Sequence, residues 1–250
     1  VPMPGFNPML NPSLVDMDAY IGMGHTAENL AKKYSISRER QEQMALESHQ
    51  KASKAIEKGE FKDEIIPVND ISEDGCIRPD TTLESMAQLK PAFDKDGVVT
   101  AGTSSPLTDG AAAVIVCSED YAKANKLKML AYIRGMAISG CSPEIMGIGP
   151  VVSSQKALKR AGLKLEDIDI IEMNEAFAAQ SLACVDELGI DMSKLNIHGG
   201  ALAMGHPLGA SGARITGKAA SLLQKNGARY ALSTMCVGGG QGCATILERA

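Results

Sequence analysis

The chain has 250 residues, of which 44% are hydrophobic and 22% charged, and its formal net charge is −5. This composition excludes a disordered chain, a collagen-like fibre and a coiled coil. The slight acidity argues against nucleic-acid binding, because a surface that follows phosphates needs clustered Lys and Arg. No apolar run approaches the roughly 18 residues of a membrane span. We therefore expect a globular protein without a membrane span.

The chain opens at Val1 in a Pro-rich stretch that lacks the charged and apolar regions of a signal peptide. We interpret it as a loop and expect that Val1 is not the biological start. The six cysteines form no CxxC pair and no zinc-type spacing with the four histidines. We expect no metal, a reducing cytoplasmic compartment, and buried, inert thiols at Cys117 and Cys184.

Residues 1–97 are polar, with helical stretches and loops. A helix is predicted to begin after the capping residue Ser37 and to end at Gly59. The irregular stretch from there to Gly97 is interpreted as a lid. His25 and His49 are expected on the surface of this region.

The apolar run Ala111–Cys117 predicts a strand buried on both faces of a sheet, followed by a helix over Glu119–Asn125. Strand-like and helix-like runs then alternate, which indicates an α/β layered domain. Strands are predicted at Leu130–Ala137, Asp169–Glu172, Arg229–Cys236 and Ala244–Glu248, the last two as an antiparallel hairpin at the end of the sheet. Helices are predicted at Val152–Ala161, Ala178–Leu188 and about Ser211–Lys225, the first two ended by Gly162 and Gly189.

Three reactive side chains follow predicted strands or glycine turns: Asn174 with its neighbour Glu175, His206, and Cys236. Open α/β sheets place their sites at strand ends, so these groups could converge on one pocket. The alternative is a capping Asn, a loop His and an inert thiol. The glycine clusters beside them do not match nucleotide-binding motifs, because the glycines after Cys236 precede a strand rather than a helix. His198 precedes one glycine loop and is not assigned a role.

Five segments together resemble the thiolase family. These are MGHTAENLAKKY (23–34), VTAGTSSPLTDGAAA (99–113), NEAFAAQ (174–180), GGALAMGHPLGASGAR (199–214) and CVGGGQG (236–242). The resemblance implies a layered αβαβα fold and acyl transfer between coenzyme A thioesters, by thiolysis of a 3-ketoacyl-CoA or the reverse condensation. The wording of the segments is closer to the degradative thiolases of fatty acid β-oxidation than to biosynthetic ones.

The resemblance also implies roles for individual residues. His206 would activate a nucleophilic thiol and bind the thioester oxygen, and Asn174 would hold a water that completes this oxyanion hole. Cys236 would move a proton to or from the α-carbon, and the Gly238 N–H would line a second oxyanion hole. Contacts to coenzyme A, a substrate rather than a permanent cofactor, would come from Ser105 and Met23.

One part of the family pattern is missing. Thiolases carry their acylated cysteine in a Cys-x-Ser-Gly type motif, and none of the six cysteines has that context; Cys76 lacks its glycine partners. The resemblance therefore predicts the C-terminal portion of a thiolase. Residues 1–110 would form the loop domain, 111–127 the last strand and helix of the N-terminal half, and 128–250 the complete C-terminal half. The strands that pair with Ala111–Cys117 would belong to the missing half, so in this chain alone the run would expose an unpaired edge and an apolar surface.

These observations lead to three hypotheses about function. The first is a thiolase whose nucleophile is supplied by an N-terminal segment or subunit, in a homo- or hetero-oligomer, the isolated chain being inactive. The second is a non-catalytic CoA-binding or truncated fragment. The third, in which Cys236 is the nucleophile of a self-sufficient Cys–His hydrolase, conflicts with the implied role of Cys236 as an acid and base.

Overall fold

The structure, a computed structural model, describes residues 10–250, so most of the Pro-rich opening lies outside the described part. Within this part there are nine α-helices and four strands. The helices are α1 (Pro12–Asp16), α2 (Met23–Lys33), α3 (Arg38–Glu57), α4 (Leu83–Ala87), α5 (Glu119–Ala124), α6 (Gly149–Ala161), α7 (Ala178–Leu188), α8 (Ala201–Met204) and α9 (Leu208–Asn226). The strands are β1 (Ala131–Gly140), β2 (Ile170–Met173), β3 (Tyr230–Val237) and β4 (Gln241–Arg249).

The four strands form one sheet in the order β1-β4-β3-β2. β3 and β4 form the predicted antiparallel hairpin, while β2 runs parallel to β3. The hairpin lies in the middle of the sheet and not at its end, because β1 pairs with β4 over the full length of both strands. The prediction of its position was therefore wrong.

Helices cover both faces of the sheet, as an α/β layered fold requires. α9 packs on one face, where Leu222 and Leu223 contact Ile170 and Leu247. α6 and α7 lie on the other face, in a larger core that includes Leu158 and other buried aliphatic side chains. The predicted glycine stops are correct: α6 ends at Gly162 and α7 at Gly189, and both glycines have φ near +70°.

Residues 23–57 form a helical pair that packs on the sheet domain. Ser37 caps α3 as predicted, because its hydroxyl accepts a hydrogen bond from the Arg40 N–H, and the helix is followed by Gly59 at φ +70°. α2 and α3 contact α7, and α3 also contacts α8. Apart from α4, residues 60–97 are largely irregular, as predicted for a lid.

The segment Ala111–Cys117 departs from its prediction. It forms no strand among the described residues, and all seven of its residues are exposed, with Ile115 84% accessible. Cys117 is therefore exposed and not buried, whereas Cys184 is buried as predicted. The physical reason is that no neighbouring strand in the described part pairs with this segment, so its backbone groups face solvent.

Candidate active site

Asn174 and Cys236 lie at the ends of two adjacent parallel strands. Asn174 directly follows β2, and its N–H donates to the Thr234 carbonyl oxygen at 3.0 Å, which ties it to β3. Cys236 stands two residues further along β3, opposite Gly242 in the hairpin. The two residues thus lie on neighbouring strands, and their convergence on one pocket stays a prediction.

The Asn174 side chain is fully buried, yet its amide oxygen and nitrogen have no hydrogen-bond partner within residues 10–250. A buried unpaired polar group costs about 1–3 kcal/mol. Such groups are therefore retained where they bind a water or a ligand. The geometry suits a side chain that holds a water at a reaction centre.

Cys236 is 5% exposed and packs in a small apolar cluster with Ala27, Val99, Met146 and Phe177 among others. Burial raises the pKa of its thiol to about 12, and the nearby Cys243 and Cys141 thiols act in the same direction. The sulfur therefore carries its proton at neutral pH. A thiol in this state is a proton donor and a poor nucleophile.

The turn after Cys236 is built from glycines. Gly239 and Gly240 have φ values of +82° and +86°, which side chains rarely adopt. Gly240 also accepts a hydrogen bond at its carbonyl oxygen from the Cys141 N–H at 2.7 Å. Gly238 itself is exposed, and a Cβ added to it would lie 3.6 Å from the Met23 sulfur. Met23 in turn packs against the cluster that contains Cys236.

Ser105 is bonded to a member of the same cluster. Its N–H donates to the Ala176 carbonyl oxygen at 3.0 Å, and Ala176 belongs to the Cys236 cluster. The two residues expected to contact coenzyme A, Ser105 and Met23, thus both border the surroundings of Cys236.

His206 occupies the loop between α8 and α9 and is partly buried. Its N–H donates to Thr108 Oγ1 at 3.3 Å, and its Nδ1 lies 2.6 Å from the hydroxyl oxygen of Ser211. Burial lowers the pKa of the imidazole, and the Arg214 charge lowers it further. His206 is therefore neutral near pH 7, as a general base must be.

The first turns of α9 connect His206 to the end of β3. A Cβ added to Gly212 would lie 3.6 Å from the sulfur of Met235, the residue before Cys236. α9 also packs along β2, the strand that leads to Asn174. α9, which begins two residues after His206, therefore packs against the two strands that lead to Asn174 and Cys236.

The remaining histidines differ from one another. His25 is exposed as expected, 3.7 Å from the Asp94 carboxylate. His49 is buried, and its Nδ1 accepts a hydrogen bond from the Arg78 N–H at 3.1 Å, so its predicted surface position was wrong. His198 is partly buried with its ring edge-on to Phe61. None of these three joins the group around Cys236.

Sequence reasoning missed the partners that hold this site. Ser211, Thr108, Ser48 and Asn196 all contact site residues or their neighbours. Only Ser211, five residues after His206 at the start of a predicted helix, carried a local signal. A cleft of about 650 Å³ lies between α2 and residues 94–98, and none of the predicted site residues lines it.

Among the described residues, no group of His, Cys, Asp or Glu side chains is arranged to hold a metal ion. Over residues 10–250, no helix combines the length and apolar character needed to cross a bilayer.

Comparison with known proteins agrees with this architecture. Residues 6–120 match the family model for the thiolase N-terminal domain, and residues 127–249 match that for the thiolase C-terminal domain. A 3-ketoacyl-CoA thiolase of Vibrio parahaemolyticus is 52% identical over 240 residues, covering 91% of this chain and 61% of the relative. The Marinobacter nauticus 3-ketoacyl-CoA thiolase gives the same identity and coverage.

Solved structures show the same fold. The crystal structure of human mitochondrial 3-ketoacyl-CoA thiolase matches with a TM-score of 0.90 and 45% identity, over 98% of this chain and 66% of that one. The same human enzyme in complex with CoA matches with a TM-score of 0.88, over 98% of this chain and 65% of that one. The chain has a mixed α/β fold and matches both the N-terminal and the C-terminal thiolase family models. It belongs to the thiolase family and spans about 60% of the length of the curated relatives it matches.

Proposed function

We propose that this chain forms the acid–base and oxyanion-binding part of a 3-ketoacyl-CoA thiolase. The proposal depends on two groups on neighbouring strands: a buried Asn174 amide that has no hydrogen-bond partner among the described residues, and a Cys236 thiol whose pKa is raised by burial. The substrates would be a 3-ketoacyl-CoA and coenzyme A, as in the degradation of fatty acids.

Cys236 is proposed to act as the acid in carbon–carbon cleavage. The acylated cysteine of the partner segment would attack the β-carbonyl carbon, and the acyl group would stay on its sulfur when the bond between the α- and β-carbons breaks. The electron pair of that bond stays on the α-carbon, and the Cys236 thiol gives its proton to that carbon. The Cys236 thiolate then takes a proton from the incoming coenzyme A thiol, and the coenzyme A thiolate attacks the acyl-enzyme, which releases the shortened acyl-CoA and frees the partner cysteine. The raised pKa of Cys236 favours this role, because the resting thiol holds its proton until a stronger base forms beside it.

The oxyanion sites are proposed to come from His206 and Asn174, through a water on the Asn174 amide, and from the Gly238 N–H. Ser105 and Met23 are proposed to contact coenzyme A. Residues 1–110, 111–127 and 128–250 would be the loop domain, the end of the N-terminal half and the C-terminal half.

The acylated cysteine is proposed to come from a thiolase N-terminal segment, either as a separate subunit or as a cleaved piece. No cysteine of the printed sequence has the required motif. The exposed apolar run at Ala111–Cys117 supports such a partner, because it leaves a surface for another segment to cover. We propose an oligomeric enzyme of a reducing, cytoplasmic compartment; all six thiols are free.

The second candidate, a CoA-binding fragment without activity, predicts CoA binding but no turnover in any combination. The Cys–His hydrolase is disfavoured because burial keeps the Cys236 thiol protonated. Thiolysis of acetoacetyl-CoA separates these readings. We expect none from the chain alone and steady turnover after addition of a thiolase N-terminal half. Turnover by the chain alone would contradict the proposal.

A further inference from the structure

We propose that Glu175 is a positioning residue whose carboxylate ties the His206 loop to the strand end of Asn174, with Ser48 of α3 as a third point of attachment. This inference rests on the proposed function, in which His206 and Asn174 act on one thioester oxygen. Glu175 is the neighbour of Asn174 and is 2% exposed.

The carboxylate accepts hydrogen bonds from three separate segments. Its Oε1 accepts from Asn196 Nδ2 at 2.7 Å, and its Oε2 accepts from the Ser48 hydroxyl at 2.7 Å and from the Leu202 N–H at 3.2 Å. All three partners are donors, which matches an ionised carboxylate. These three donors stabilise the buried carboxylate. Replacement of the carboxylate would leave the donors without the negatively charged acceptor that they share.

The Asn196 side chain holds the end of β2 through two hydrogen bonds to the backbone of Met173. Its Oδ1 accepts from the Met173 N–H at 2.9 Å and its Nδ2 donates to the Met173 carbonyl oxygen at 2.8 Å, so the side chain extends the sheet beyond β2. The same Nδ2 donates to Glu175. One amide therefore holds the last residue of β2 and the carboxylate two residues further on, with Asn174 between them.

The His206 loop is held from the other side. The Leu202 N–H, bonded to Glu175, lies in α8, which ends two residues before His206. The Gly200 N–H donates to the Ser48 hydroxyl oxygen at 3.0 Å. A Cβ on Gly200 would collide with the Glu175 carboxylate, so the loop packs directly on that group.

These contacts make the distance between His206 and Asn174 depend on one carboxylate. Misplacement of reacting groups by about 1 Å can cost on the order of 100-fold in rate. Substrate contacts at Ser105 and Met23 lie outside this network, so loss of the carboxylate should lower kcat much more than it changes KM.

The test uses Glu175→Gln, which keeps the shape and removes the charge, with Ser48→Ala as a milder variant. Glu166→Gln is the matched control, because Glu166 is exposed and the charge change is the same. In the enzyme complemented with an N-terminal half, we expect kcat of Glu175→Gln to fall by about 30- to 100-fold and KM to change by less than about 3-fold. Ser48→Ala should lose about 5-fold in kcat, and Glu166→Gln should match the parent.

A second readout needs no activity. The NMR titration of His206 in the 250-residue chain should shift upward in Glu175→Gln by about 0.5 pH unit, because a loosened loop exposes the imidazole to water. Leu222→Ala, which removes a buried core side chain far along α9, serves as a control for general destabilisation and should leave this titration unchanged.

The outcomes separate the two ideas. A shifted His206 titration in Glu175→Gln, with an inactive complemented parent, would leave the positioning of the loop in place and contradict the proposed function. Glu175→Gln that matches Glu166→Gln in both readouts would overturn the inference. Loss of kcat without any shift of the His206 titration would also overturn it, since that result indicates only structural damage.

Discussion

The Nδ1 atom of His206 lies 2.6 Å from the hydroxyl oxygen of Ser211, and this hydroxyl donates to the Pro207 carbonyl oxygen at 3.1 Å. A hydroxyl that donates to Pro207 accepts from Nδ1–H. On this hydrogen-bond pattern we assign the proton of the neutral imidazole to Nδ1, an assignment that the next prediction tests. The lone pair on Nε2 is left to act as a base toward a thiol.

Ser211→Ala should therefore make His206 a less effective general base while the imidazole itself stays in the site. We expect kcat in the complemented enzyme to fall by about 10- to 100-fold, because the imidazole loses the partner that selects its tautomer. Steady-state thiolysis of acetoacetyl-CoA measures this. Ser211→Thr retains the hydroxyl and should recover part of the rate; equal losses in the two variants would argue against the tautomer assignment.

Cys236→Ser should lower turnover by at least about 100-fold, while acylation of the partner's cysteine by a simple acyl-CoA, which breaks no carbon–carbon bond, still proceeds. A hydroxyl is much too weak an acid to exchange the α-proton near neutral pH. His206→Ala should instead block acylation itself. Rapid quenching with labelled acyl-CoA measures the acyl-enzyme in each variant. An acyl-enzyme that fails to form in Cys236→Ser would show that the role assigned to this thiol is wrong.

Glu172 predicts a pH dependence of stability. It is 2% exposed, and burial raises its pKa to about 8, against the lowering influence of Arg214 and Lys218 and together with the repulsion of Glu175 and Glu64. The folded state thus holds a proton that the unfolded state releases near pH 4.3. The contribution of Glu172 to the free energy of unfolding is therefore largest below about pH 4.3 and falls as the pH rises toward 8.

Glu172→Gln should remove this dependence. Between pH 6 and pH 8 the free energy of unfolding of the parent should fall by about 2 kcal/mol through Glu172, and that of Glu172→Gln should fall by much less. Urea unfolding at both pH values provides the comparison, with Glu166→Gln as the charge-matched control. Parallel pH profiles for parent and Glu172→Gln would contradict the assignment.

The start of α6 packs directly on the start of β4. A Cβ on Gly242 would collide with the backbone of Gly149, and a Cβ on Gly149 would collide with the backbone at Gln241. Gly242→Ala should destabilise the chain by about 2–4 kcal/mol, since backbone on both sides has to move. Gly75→Ala, where an added Cβ meets no atom within 4 Å, is the control and should change stability by less than about 0.5 kcal/mol. Equal denaturation midpoints for both variants would refute this packing.

Backbone protection should differ sharply between two apolar segments. Amides of Ala111–Cys117 should exchange quickly in the isolated chain, because the segment is exposed and lies in no strand. Amides of Ala231–Cys236, inside the hairpin, should exchange slowly. Hydrogen exchange read by mass spectrometry measures both, and an N-terminal half should slow the first segment. Equal, strong protection of both segments in a monomer would contradict the account.

Local signals predicted the elements whose ends depend on nearby residues. Ser37, Gly162 and Gly189 mark helix ends through their own backbone or hydroxyl chemistry, and the structure places each as predicted. The strand predicted at Ala111–Cys117 does not form in this chain, because a strand exists only where another strand pairs with it. The sequence of a single segment does not contain that information.

In the candidate site, too, some residues could be predicted from local sequence and others could not. Asn174, His206 and Cys236 stand out as reactive types at strand ends and in glycine loops. Ser48 lies 127 residues before the carboxylate of Glu175 that it contacts, and no spacing in the sequence connects the two. Long-range contacts of this kind are set by how α3 packs against the sheet domain, and only the folded structure reveals them.

The location of the acyl group tests the central claim most directly. The complemented enzyme is incubated with acetyl-CoA, quenched in acid, and the masses of the two polypeptides are measured intact. The account predicts an acetyl adduct on the N-terminal polypeptide alone, with this chain unmodified and all six of its thiols free. An acetyl group on this chain at Cys236, with none on its partner, would contradict it.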